Sequence, residues 1–361
     1  MGRFPPKTSL ARTAPNFNLL RILAALAVLV THCFVLATGD AMAEPMRRDI
    51  GMTMGSMAVD VFFITSGFLV TASLLTRRCT VEFLTARVLR IYPALLVMLV
   101  LTVGVMGAAF TSWPLGEYFA SPVTRAYLTK CGTLLGGVTY FLPGVFEATP
   151  YPRAVNGSLW TMPYEIKMYL ILAVLWLAMK PLKARRGVVF QGAIVASVAV
   201  AGAVLFVNAH VRHVDSMFTR LFFMFFSGAA AFVLRQRIAL SGRAACAMAA
   251  CLPMAYLAGA EVFAAVYICA LAYLVLACAY LPAGFLRNYN RLGDYSYGVY
   301  IYAFPIQQAI CALFPGISVG GLLASSTLAV FACAVASWHL VEKRALALKG
   351  RFARRHAVPA E

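Results

Sequence analysis

Two ionisable residues stand inside the first apolar run of the chain, Arg21 and, after ten intervening residues, His32, in NLLRILAALAVLVTHCF. A charged group in hydrocarbon is costly, so such a pair marks a functional site. Eleven helical steps of about 100° return to within roughly 20° of the start and climb about 16 Å, placing both side chains on one helix face at different depths. An imidazole can take a proton from a hydroxyl, and a carboxylate on its other nitrogen fixes the tautomer and raises its basicity. Two carboxylates reach a depth similar to that of His32 in other apolar runs: Asp60 in GSMAVDVFFITSGFL and Glu165 in NGSLWTMPYEIKMYL. Either one is a candidate partner for His32, and the three are the candidate catalytic groups. Near the opposite surface Arg87 and Arg90, three apart, share a helix face at about the depth of Arg21. Forked guanidinium donors suit phosphate oxygens. Basic groups at one surface and a histidine about 15 Å further in suit a phosphorylated donor with a long thin arm, and the pantetheine arm of acyl-CoA has that reach. Trp160 and Tyr164, near the outer surface, are of a type to stack on a sugar face or to sit in an interfacial aromatic belt.

The elements that position these groups follow from composition. With 62% hydrophobic and 12% charged residues and a mean hydropathy of +0.81, the 361-residue chain has more apolar surface than a water-soluble domain can bury. An all-α, polytopic integral membrane protein is expected. Ten transmembrane helices can be drawn, at about 19–38, 56–76, 91–111, 158–179, 188–207, 217–234, 244–260, 262–281, 295–314 and 319–340. The chain then divides into an N-terminal tail at 1–18, a membrane domain at 19–340 and a basic tail at 341–361. An even count puts both termini on one side. Most of the 31 Lys and Arg residues fall in the tails and connections of that side, so both termini are expected in the cytoplasm.

The net charge of +18 does not point to nucleic acid, because the basic residues lie in short clusters between apolar runs. Ala41-Met42-Ala43 after the first run resembles a signal-peptide cleavage site. The run is longer than a usual signal core and carries Arg21 and His32, so retention is expected. Nine cysteines, mostly within apolar runs, form no disulfide framework, and no metal-ligand spacing is present. The longest connection, 112–157, is rich in aromatic residues and reads as a lid over a cavity or as a plain surface loop. There is no evident inverted repeat of the kind many transporters carry.

Six motifs in order resemble the acyltransferase-3 family of bacterial membrane O-acyltransferases. They are the Arg-x10-His of the first run, GSMAVDVFFITSGFL, the Arg-x-x-Arg-Ile-Tyr-Pro of 87–93, SLWTMPYEIKMYL, LFFMFFSGAAAF and GDYSYGVYIYAFPI. The resemblance implies transfer of an acetyl or other short acyl group from cytoplasmic acyl-CoA to a hydroxyl of an envelope glycan, in the bacterial inner membrane. It implies no permanently bound cofactor, acyl-CoA (acetyl-CoA foremost) being a co-substrate, and as partners the glycan acceptor and membrane lipids. It carries His32 as general base, Arg21, Arg87 and Arg90 as acyl-CoA-binding groups, and Trp160 and Glu165 as a tryptophan-to-acid motif. A transient acyl-histidine is the competing mechanism. Ser66, Tyr164 and Tyr300 are oxyanion donors by type. Met162, Pro163 and Lys167 depart from the usual pattern around Glu165. The alternative function is a glycan or lipid-linked glycan exporter without acyl transfer. A reporter active only in the cytoplasm is expected to work when fused after Glu361 and to fail when inserted in the 112–157 loop; the reverse pattern overturns the orientation.

Overall fold

The computed structural model describes residues 2–3, 15–77, 79–212 and 214–349. Most of the expected N-terminal tail, and the C-terminal tail from 350 onward, lie outside the described residues. Apart from a two-residue antiparallel pairing of Gly2–Arg3 with Ala239–Leu240 and two isolated bridges, the regular structure of the described residues is helical.

Each apolar run falls on a helix. These are α1 (Phe17–Thr38), α2 (Met54–Thr76), α3 (Thr80–Phe110), α4 (Gly157–Ala178), α5 (Lys180–Val207), α6 (Met217–Val233), α7 (Gly242–Ala258), α8 (Ala260–Tyr280), α9 (Ser296–Leu313) and α10 (Val319–Ala347). Seven of them, α1 to α5, α8 and α10, are long and apolar enough to cross a membrane, which makes the chain a multi-pass membrane protein. The other three are a different case. Helices α6 and α7 have 17 residues each, about 26 Å, somewhat less than a hydrocarbon core of roughly 30 Å. Helix α9 carries Ser296, Gln307, Gln308 and three tyrosines, and 13 of its 18 residues are buried. A helix sheathed by other helices has no need of an apolar surface.

Helices α2 and α6 touch backbone to backbone. A Cβ on Gly67 would lie 1.8 Å from the Phe225 carbonyl oxygen, and one on Gly228 would lie 2.0 Å from that of Ile64. Reciprocal glycines let helices approach this closely, as at small-residue interfaces in membranes.

The N-terminus of α2 is tied to the preceding chain. Its first three backbone N–H groups donate to Glu44 (2.6 Å from Met54), Thr31 (2.7 Å from Gly55) and Thr53 (2.9 Å from Ser56). These groups have no partner within the helix, so the three acceptors satisfy buried donors and lock α2 onto α1 one residue from His32. A second tie follows from Pro305 inside α9. Proline has no N–H to give the carbonyl four residues back, and the Asn156 side-chain amide donates to that carbonyl, Ile301, at 3.0 Å. Gln308 donates to the carbonyls of Tyr151 and Ala154 at 2.7 Å each, so the end of the 112–157 connection is strapped to α9.

That connection is a folded cap with helices at Leu115–Ala120 and Pro122–Thr133 and with Tyr118, Tyr127 and Cys131 fully buried. Within α3, residues Thr102–Gly107 form a π-helical turn, and the Tyr118 hydroxyl donates to the Val103 carbonyl at 3.0 Å. All nine cysteines are free thiols, in line with the absence of a disulfide framework.

Replacing Gly67 by alanine drives a methyl group into a backbone oxygen that cannot rotate away, so a loss of about 3 kcal/mol or more is expected. Gly192→Ala, whose Cβ meets open space, serves as control and is expected to be neutral or slightly stabilising. Thermal unfolding in mild detergent distinguishes the two.

Candidate active site

Four helices line a small cavity of about 40 Å³. Arg21 enters it from α1, Val59, Phe62, Phe63 and Ser66 from α2, Thr161, Met162 and Glu165 from α4, and Ser296, Tyr297 and Tyr300 from α9. The volume suffices for roughly three waters or a small acyl group. Its polar wall is organised. The Tyr169 hydroxyl donates a short hydrogen bond to Glu165 Oε1, and Ser66 Oγ lies 3.1 Å from the same hydroxyl and 3.5 Å from Glu165 Oε1. Opposite, Tyr300 donates to the Ser158 carbonyl at 2.9 Å and meets the Thr161 hydroxyl at 2.6 Å.

The arginine side of the cavity is built on Asp294, the residue before the last turn into α9. Its Oδ2 lies 2.5 Å from Arg90 Nη2 and 3.7 Å from Arg21 Nε. Its Oδ1 accepts from the Ser296 hydroxyl at 2.5 Å and from the Ser296 N–H at 3.3 Å. Burial pushes the Asp294 carboxyl up, but Arg90, Arg21 and Ser296 outweigh it and hold the group down to about 2. Arg90 Nη1 donates to Glu342 on α10 at 3.2 Å, and the Arg21 guanidinium lies 5.8 Å from the Phe62 ring. Arg21 and Arg90 are thus brought together, each against carboxylate. Arg87 is not part of this pairing: its guanidinium lies 6.0 Å from the Phe83 ring and 5.9 Å from the Tyr169 ring, and its buried Nε has no hydrogen-bond partner.

The expected bond between His32 and a carboxylate is not made. Asp60, fully buried on α2, is held by Arg220 of α6, with Nε 3.2 Å from both carboxylate oxygens and Nη2 2.5 Å from Oδ2, and by the Tyr267 hydroxyl at 2.9 Å. The physical reason is charge: a buried carboxylate gains more from a guanidinium than from a neutral imidazole. Glu165 is likewise taken by Tyr169 and Ser66. His32 packs edge-on against Phe304, ring centroids 5.0 Å apart, and its buried Nδ1 has no partner. The shared face expected for Arg21 and His32 is present, since Arg21 meets Ser296 and His32 meets Phe304, both on α9. Trp160 and Tyr164 are half-buried in edge contact at 6.0 Å. Lys167 sits 5.4 Å over the Tyr164 ring and makes no ion pair with Glu165.

Sequence reasoning missed Asp294, Glu342 and Arg220 as partners. Each had a signal: Asp294 lies in GDYSYGVYIYAFPI, Glu342 is the acid directly before Lys343 and Arg344 at the end of the last apolar run, and Arg220 is a charge near the start of another.

A multi-pass membrane protein with an arginine, a carboxylate and several hydroxyls around an internal cavity is the class that fold and site define. The chain belongs to the acyltransferase-3 family, whose model, described as an acyltransferase domain, matches residues 15–339. It is 28% identical over 342 residues to an O-acetyl transferase of Shigella phage Sf6, covering 91% of this chain and 95% of that one. It is 27% identical over 362 residues to nodulation protein 10 of Rhizobium leguminosarum bv. viciae, covering 92% of this chain and 94% of that one. No solved structure matches it.

Removing one partner of a buried pair leaves the other charge uncompensated, at a cost of roughly 3–5 kcal/mol. Asp294→Ala is therefore expected to destabilise by about that amount. Adding Arg90→Gln to Asp294→Ala is expected to cost less than Arg90→Gln alone, measured as a double-mutant cycle of denaturant unfolding in detergent.

Proposed function

We propose that the protein is a membrane-embedded O-acyltransferase that moves an acetyl or other short acyl group from cytoplasmic acyl-CoA to a hydroxyl of a cell-envelope polysaccharide or glycan precursor. The setting is the bacterial inner membrane, crossed ten times with both termini cytoplasmic. The observation that carries the reading is the His32 imidazole with a free, buried Nδ1, on the α1 face whose other end, Arg21, opens on the cavity. Family membership and the likeness to an O-acetyl transferase supply the reaction class.

His32 acts as general base. It takes the proton of the acceptor hydroxyl as that oxygen attacks the thioester carbonyl. The tetrahedral intermediate collapses by breaking the carbon–sulfur bond, and the leaving thiolate receives the proton from the imidazolium. Without a carboxylate on Nδ1 the tautomer is free to adapt, so the ring's orientation comes from packing on Phe304. The hydroxyls of Ser66, Thr161 and Tyr300 are the donors nearest a carbonyl in the cavity, and Glu165 supplies the wall with a carboxylate held by Tyr169. Asp60 keeps α2 in register through Arg220 and touches no reacting atom. Arg21, Arg87 and Arg90, at the far end of this polar seam, serve the donor. Trp160 and Tyr164 offer aromatic surface to the acceptor.

The test is release of free CoA from acetyl-CoA by detergent-purified protein with an envelope-glycan acceptor. Acceptor-dependent release is expected in the wild type, with a fall of at least about 10²-fold in His32→Ala at unchanged thermal stability. Absence of release with acetyl-, succinyl- and longer acyl-CoA, from a folded protein with several acceptors, overturns the reading.

A further inference from the structure

The apolar walls of the cavity are held in unlike ways. On α2, Val59, Phe62, Phe63 and Ser66 recur at the spacing of one helix face, and all four line the cavity. That wall cannot retreat. Gly67 and Gly228 hold the α2 backbone against α6. The Phe62 ring is set between the Arg21 guanidinium, 5.8 Å away, and the Tyr300 ring, 5.7 Å away and inclined at 73°. Tyr300 is itself pinned by Ser158 and Thr161. The other apolar contribution comes from Met162, buried where the turn Gly157–Thr161 passes into the α-helical part of α4. Methionine is unbranched with three rotatable bonds, so this wall adjusts to what it meets while the α2 wall does not.

Size and charge then limit what enters. The volume of about 40 Å³ is that of roughly three waters, and an acetyl group has three heavy atoms. A butyryl group brings two more carbons. A succinyl group brings four more heavy atoms, two of them the oxygens of a carboxylate. That carboxylate would share the cavity with Glu165. Arg21, the cation that lines the cavity among the described residues, already faces Asp294 at 3.7 Å. Two carboxylates in one desolvated place repel, and no spare cation offsets them there.

We propose that Met162, facing a cavity whose Phe62 wall is fixed, sets the length of the acyl group, so that the protein takes acetyl and rejects butyryl by volume and succinyl by volume and charge. The inference rests on the acyl-CoA reading above and selects among the acyl groups that it leaves open. Met162→Ala removes the three heavy atoms beyond Cβ, more than the two carbons that separate butyryl from acetyl. Every polar group of the cavity stays in place. Added volume brings no cation, so the enlarged cavity still excludes succinyl.

The experiment is the CoA-release assay on full-length, detergent-purified protein with an envelope-glycan acceptor, run in parallel with acetyl-, butyryl- and succinyl-CoA. The readout is the ratio of kcat/KM values between donors within each variant, which a change in the folded fraction leaves untouched. The wild type is expected to prefer acetyl over butyryl by about 10²-fold or more, and Met162→Ala to cut that preference at least about tenfold. Its preference for acetyl over succinyl is expected to persist. Met162→Leu keeps the bulk and is expected to keep the wild-type ratios. Met162→Val, a smaller loss of volume, is expected to shift the butyryl ratio in the same direction and carries the test if Met162→Ala does not fold. A wild type that uses butyryl as readily as acetyl overturns the proposal and leaves acyl transfer standing, and so does an unchanged ratio in the folded smaller variants. Succinyl admitted along with butyryl in Met162→Ala overturns the part assigned to charge. Absence of CoA release with all three donors, from folded protein with several acceptors, overturns the acyl-transfer reading and the proposal with it.

Discussion

The arrangement of the helices around the cavity depends on the Asp294 carboxylate. It draws Arg21 of α1 and Arg90 of α3 to the start of α9, and Arg90 carries the link on to Glu342 of α10. In a low-dielectric interior each of these charges alone would be several kcal/mol too costly to keep ionised. Together they sum to zero and share hydrogen bonds, which makes the four-helix meeting point all-or-none. The position of Asp294 adds to this. A carboxylate that accepts from the Ser296 N–H sits at the positive end of α9, where the helix dipole favours it.

The two carboxylates read as partners of His32 show how burial sorts groups of one type into different work. Asp60 meets a guanidinium and a tyrosine and becomes a clamp between α2, α6 and α8. The clamp lies on the same helix pair as the reciprocal contacts of Gly67 and Gly228, so polar and steric locks act together. Glu165 meets only hydroxyls, and its remaining surface faces the cavity.

The side of the molecule that carries the 112–157 connection is organised by backbone groups that helices leave unsatisfied. Proline 305 frees a carbonyl that Asn156 fills, and the π turn of α3 presents a carbonyl to Tyr118. Both contacts pin the 112–157 connection to the helices beside the site. The first of them fixes the chain just before α4 and so aims Thr161 at Tyr300 of α9.

That the ten apolar runs are helical was legible in the sequence, because lipid demands that a long apolar run be helical, and seven of them are long and apolar enough to cross a membrane. The ionisable residues within the runs were legible for the same reason: nothing else explains the cost of Arg21, His32, Asp60 and Glu165. Even the common face of Arg21 and His32 could be read, since helical geometry alone sets it. Pairing was another matter. Whether Asp60 meets His32 or Arg220 depends on how α2 rotates against α1 and α6, and that rotation is set by long-range contacts such as Gly67 with Phe225, which local spacing does not encode. The same holds for Asp294 and Glu342, separated from Arg90 by 204 and 252 residues. Sequence alone determined which groups enter the membrane domain, because desolvation acts on each residue by itself. Only the tertiary structure decided which charges cancel and which stay available, because an ion pair needs two groups within about 4 Å.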